Sequence, residues 1–146
     1  MFRLIKIEGG RINVPEPQIF ETQSEIVDGQ ALVLTNGYLT VATGGTKPTF
    51  MALANAHGTS SKAVEVHVAR VEPNQIYEVP VSTSTGLTSL KVGNKVTIEA
   101  SASATDNAPA IVGGLRVTAT TTSGVAEIVS LNGATNADDT IIVRFS

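Results

Sequence analysis

Ala63-Val64-Glu65-Val66-His67-Val68-Ala69-Arg70-Val71, followed after Glu72-Pro73-Asn74 by Gln75-Ile76-Tyr77-Glu78-Val79-Pro80-Val81, is the stretch that decides how this chain folds. It alternates strictly. Val64, Val66 and Val68 fall on one face of an extended strand, and Glu65 and His67 fall on the other. Pro73 and Asn74 interrupt the pattern, which resumes in Ile76, Tyr77, Val79 and Val81. Proline pre-sets a turn dihedral and asparagine tolerates unusual ones. The expectation is two strands joined by a tight Pro-Asn turn, the central hairpin of a small all-β body. The valine face belongs to the core, and Glu65 and His67 face solvent or a partner.

Further strand signals lie on either side. Ala31–Thr35 and Tyr38–Ala42 flank Asn36-Gly37, and an Asn-Gly pair between two β-rich runs is the strongest short-range hairpin signal. Leu4–Glu8, Gln18–Glu25, Thr49–Leu53, Leu115–Thr121, Val125–Leu131 and Thr140–Phe145 read as additional short strands. A second Asn-Gly stands at Asn132-Gly133. The terminal strand is expected to close the body, because a strand at a chain end persists when it is paired. Leu90–Ile98 repeats the grammar of Ile26–Leu34, in which an apolar residue and a glycine turn launch a strand. Glu99–Ala110 is the lowest-complexity segment and reads as an exposed excursion.

Short strands with regular turn signals, and no sustained helical period, predict an all-β fold. It is a small antiparallel β-barrel or β-sandwich of short strands with an extended N-terminal arm. Residues 1–20 form the N-terminal strand and the Pro-rich arm, and residues 21–146 a single β-barrel-like domain. Pro15 and Pro17 cannot donate ladder hydrogen bonds, so Arg11–Phe20 reads either as a surface connector or as an arm along a neighbouring protein.

Composition narrows the function classes. With 42% hydrophobic and 16% charged residues the chain is globular, and its charge is below the roughly 25% usual for a soluble domain. Ten basic and thirteen acidic residues are scattered, which disfavours a nucleic-acid surface. There are no cysteines, which removes disulfides and thiolate metal sites. No apolar run is long enough to span a membrane as a helix, and the alternating N-terminus lacks a signal core.

Nor does the sequence assemble a reaction. His57 and His67 stand in no metal-binding or nucleophile motif. Glu65 shares a strand face with His67, and a solvated strand face accounts for both. Asp138-Asp139 lack the spacing of a calcium loop. Gly9-Gly10, Gly44-Gly45 and Gly113-Gly114 lead into no helix that could receive a phosphate. Six scattered aromatics make no stacking platform. The expectation is no catalytic, cofactor-binding or metal residue, hence no enzyme and no cofactor.

The order of strands and turns resembles the small head decoration, or capsid cement, proteins of tailed bacteriophages. The resemblance lies in Gly29–Leu34, Asn36–Thr40, Lys47–Leu53, Val64–Val71, Gln75–Pro80, Leu90–Val96 and Ile142–Phe145. It spans most of the chain as a pattern and carries no catalytic motif; Glu99–Ala110 fits it least. It implies a compact β-body on the outside of a mature capsid, made in the host bacterial cytoplasm. Such a protein bridges major capsid subunits by binding alone, without touching nucleic acid or membrane. The implied partners are the major capsid protein and copies of this chain, and Arg11, Ile12, Val14, Pro15, Pro17, Ile19 and Phe20 are the candidate contacts. The alternative is another phage β-module, either tail-tube-like or receptor- or carbohydrate-binding.

Overall fold

The structure, a computed structural model, describes residues 2–8, 16–81, 87–98, 124–136 and 139–145. In the first part of the chain are β1 (Arg3–Ile7), β2 (Gln18–Thr22), β3 (Glu25–Ile26), β4 (Ala31–Thr35), β5 (Tyr38–Val41) and β6 (Phe50–Ala52). Then come β7 (Ala56–His57), β8 (Val64–Arg70), β9 (Gln75–Pro80), β10 (Lys95–Val96), β11 (Ala126–Ser130) and β12 (Thr140–Phe145). A single helical turn at Leu87–Ser89 is the only helix among the described residues. The fold is all-β, as the alternation predicts.

The strands form two antiparallel five-stranded sheets and a small two-stranded one. The first sheet has the order β1-β9-β12-β11-β10, the second β2-β8-β6-β4-β5, and β3 pairs with β7. β4 and β5 make the expected Asn-Gly hairpin. Asn36 and Gly37 take φ of 51° and 86°, the two positive values that a tight hairpin turn matching the strand twist requires.

The central hairpin is a correction. β8 pairs with β2 and β6, whereas β9 pairs with β1 and β12, so the two runs belong to different sheets. Glu72-Pro73-Asn74 is a corner that carries the chain from one layer to the other. The buried Gln75 side chain holds it. Its Oε1 accepts from the Glu72 N–H (2.9 Å) and the Tyr77 hydroxyl (2.6 Å), while Nε2 donates to the Arg70 carbonyl (3.2 Å). Every polar atom of that amide has a partner, which makes its burial tolerable.

The same device recurs at three other strand starts. Gln30 Oε1 accepts from the Val27 N–H, Asn94 Oδ1 from Lys91 and Asp139 Oδ2 from Asn136. In each case, as at Gln75, the N–H of the fourth residue returns a bond to the carbonyl of the first. The echo between Ile26–Leu34 and Leu90–Ile98 thus has a physical basis: a side-chain oxygen closes the turn from which β4 or β10 departs.

The described residues form two apolar clusters. One lies between the sheets and joins Tyr77, Val79, Ile141, Val143 and Phe145 of the first sheet to Ala31 and Met51 of the second. The other lies inside the curl of the second sheet and holds Leu32, Leu39, Phe50, Ala52, Val66 and Val68, with Ile26 and Ala56 from β3 and β7. The curl is marked by the buried Thr22 of β2, whose hydroxyl donates to the Leu39 carbonyl of β5 (2.8 Å). The second sheet does not close into a barrel, so the fold is the sandwich of the two expected forms. Arg11, Ile12, Val14 and Pro15, the Glu99–Ala110 excursion and the Leu115–Thr121 strand lie outside the described residues.

Candidate interaction surface

The two outward faces of the sandwich differ in chemistry. Across the first sheet runs a chain of charges. Arg3 pairs with Glu78 (2.5 Å), Lys6 with Glu8 (3.9 Å), and Arg144 with both Glu8 (3.3 Å) and Glu127 (3.6 Å). The hydrogen bond from Arg3 holds the Glu78 carboxyl below the usual carboxylate range. These exposed pairs contribute little energy each and mark a solvated face.

The second sheet is covered only in part. Met51 and Ala31 on its outer face lie buried under the first sheet, but among the described residues that cover ends at β1. Beyond that edge, the register gives successive rows of outward residues on β2, β8 and the end of β6. His67 stands opposite Ile19 and its carbonyl accepts from the Leu53 N–H; Glu65 stands opposite Glu21. Ile19 and Leu53, on either side of His67 of β8, are 55% and 45% exposed, unusually open for large apolar side chains on one sheet face. Where this ledge meets β1 lies a groove of about 360 Å³, lined by Phe2, Leu4, Pro17, Met51, Leu53 and Tyr77 among others. One end is closed by the Phe2 N–H, which donates to the Gly29 carbonyl (3.1 Å).

Of the seven contact candidates, three are described. Pro17 lines the groove and Ile19 stands exposed beside it. Phe20 turns the other way, half-buried against the inner cluster, with its ring 4.9 Å from that of Phe50. Alternation accounts for the split, since adjacent residues of a strand face opposite sides. Leu4, Leu53, Ala69 and Tyr77 also line the groove, and none of them was a contact candidate in the sequence. For Leu53 the one signal is the unbroken apolar run Phe50-Met51-Ala52-Leu53, which indicates a strand covered on both faces.

The polar candidates do not converge. His57 Nδ1 lies 3.5 Å from Glu25 Oε1, both exposed, across the β3–β7 pair. His67 and Glu65 occupy successive rows of an open sheet face. Asp139 spends one carboxylate oxygen on the N–H groups of Thr135 and Asn136 (both 2.8 Å), and these bonds hold its carboxyl below the usual range. Among the described residues no three His, Asp or Glu side chains group as a metal site.

No protein-family model and no curated protein matches the chain. Among solved structures it is similar to the crystal structure of the head fiber gp8.5 N base in bacteriophage phi29. The TM-score is 0.51 and the identity 12%, and the likeness covers 90% of this chain and 95% of that one. At that identity it is the fold that is shared.

Proposed function

We propose that this protein is a structural component of a phage virion that binds the outside of the capsid and stabilises contacts between major capsid subunits. The observation that carries the reading is the near full-length likeness of the sandwich to the base of a head fiber. The offset of the two sheets supports it, because it leaves an apolar ledge beside a strand edge that no described strand pairs, a surface suited to a protein partner. The proposed role is binding alone, which such a surface supports. Many copies at symmetry-related positions would turn modest single-site affinities into a large stabilisation of the shell.

Removing residues 1–20 is a poor test, since it deletes β1, the buried Phe2 and most of β2. The better test compares purified heads with and without the intact protein. The expected result is co-sedimentation with heads and a higher temperature of DNA release. Heads that neither retain the protein nor gain heat resistance would overturn the reading.

A further inference from the structure

Among the described residues the first sheet stops at β1, while the second continues through β8 to β2, so the sandwich ends in a step. A strand placed beside β1 would lie about 4.8 Å further out and, at the usual spacing of roughly 10 Å between packed sheets, above the ledge. Its inward side chains would meet Ala69, Ile19, His67 and Leu53, the surface that the described strands of the first sheet leave uncovered.

Arg3 lines the β1 side of the groove and His67 stands beside Ile19 on the ledge, whereas the far end of the ledge is acidic. Glu21 and Glu65 stand directly opposite each other at the far end of the ledge, and neither has an ion pair with a described residue. Like charges in cross-strand register repel, and a cation between them removes the repulsion. Asp28 adds a third carboxylate at the groove. β1 itself carries a register shift between Leu4 and Lys6. A bulge and a lysine discourage pairing with a long flat strand, which favours a short segment in one register.

We propose that this step receives a short extended segment of another polypeptide, lying along β1 with apolar side chains on Ala69, Ile19 and Leu53 and a Lys or Arg between Glu21 and Glu65. The proposal rests on the head-binding reading only for the source of the segment, a protein of the capsid shell. Its chemistry comes from the ledge.

The test titrates the 15N-labelled full-length protein with two peptide probes. One is acetyl-Val-Thr-Val-Thr-Lys-Lys-amide; the other has Glu in place of both Lys. Amide shifts are expected on β1, Ile19, Leu53 and Ala69, with the Lys peptide binding at least about tenfold more tightly than the Glu peptide. Ile19→Asp and Leu53→Asp, both at exposed positions, should each weaken binding by about tenfold or more. Glu21→Lys should abolish the preference between the peptides.

Several results overturn the proposal: no shift up to millimolar peptide, equal binding of both peptides, or shifts confined to other surfaces. So does a dimer of the native protein that Ile19→Asp dissociates, which makes a second copy the occupant. Binding that appears only when residues 9–15 are replaced by a Gly-Ser linker makes the chain's own segment the occupant and overturns it equally. Peptide binding without head binding sinks the capsid reading and leaves the groove. Head binding indifferent to Ile19→Asp and Leu53→Asp does the reverse.

Discussion

Gln75 shows how much a single side chain can decide. Its amide satisfies the Glu72 N–H, the Arg70 carbonyl and the Tyr77 hydroxyl, all at the corner where the chain leaves one sheet for the other. Gln75→Leu keeps the approximate volume and removes all three bonds, leaving buried polar groups unmatched at about 1–3 kcal/mol for each that water cannot reach. A loss of roughly 2–4 kcal/mol in urea unfolding is expected. Asn94→Ala removes the equivalent bond to Lys91 at an exposed turn and should cost about 1 kcal/mol or less, because water replaces it. Equal losses for the two variants would refute the distinction. Asp139 performs the same task with a charge. Its carboxyl is held low by the N–H groups of Thr135 and Asn136, so the folded form binds its proton less readily than the unfolded one. The stabilisation is therefore complete above the unfolded carboxylate value near 4 and is lost as pH falls through the lower folded value. Asp139→Asn should flatten the acid dependence of amide exchange at Thr135 and Asn136. An unchanged acid limb would remove Asp139 as its cause.

At the level of elements, glycines separate two kinds of constraint. Gly37 sits at φ +86° with open space where a Cβ would stand, so Gly37→Ala meets only backbone strain, about 1 kcal/mol. Gly58 is the opposite case. A Cβ there would collide with the Thr22 carbonyl oxygen, a backbone atom that cannot rotate away. Gly58→Ala should therefore lower the melting temperature more than Gly37→Ala, and the reverse order would contradict the packing around the β3–β7 pair. The same contrast explains what was legible in the sequence. The Asn36-Gly37 hairpin could be read because its dihedrals are a local matter. Val64, Val66 and Val68 point inward and Glu65 and His67 outward, as alternation requires. The partner of that strand could not be read, because Pro73-Asn74 suits a hairpin turn and a corner between sheets equally well. What selects the corner is Gln75, whose bonding depends on Tyr77 and Arg70 being folded around it. The ledge was half legible: Pro17 and Ile19 were found through the proline pattern, while Leu53 and Ala69 become neighbours of Ile19 only through non-local pairing.

The described residues form two cores that share two strands. In β4, Ala31 faces the inter-sheet cluster and Leu32 the inner one; in β6, Met51 faces the first while Phe50 and Ala52 face the second. Neither cluster can lose its packing without disturbing a strand that the other needs, so the sheets should unfold as one unit. The chain supplies its own reporters: two tyrosines and no tryptophan, with Tyr38 on β5 of the second sheet and Tyr77 on β9 of the first. Ring resonances of both followed through urea should give coincident midpoints. Ile141→Val trims a fully buried side chain of the inter-sheet cluster, for about 1 kcal/mol. It should shift the Tyr38 midpoint as far as the Tyr77 midpoint, although Ile141 belongs to the other sheet. A Tyr38 transition that stays in place while that of Tyr77 moves would mean that the curled sheet folds independently. Under the proposed capsid-bracing role the coupled alternative would be an advantage, because force on the ledge would then be resisted by both cores together.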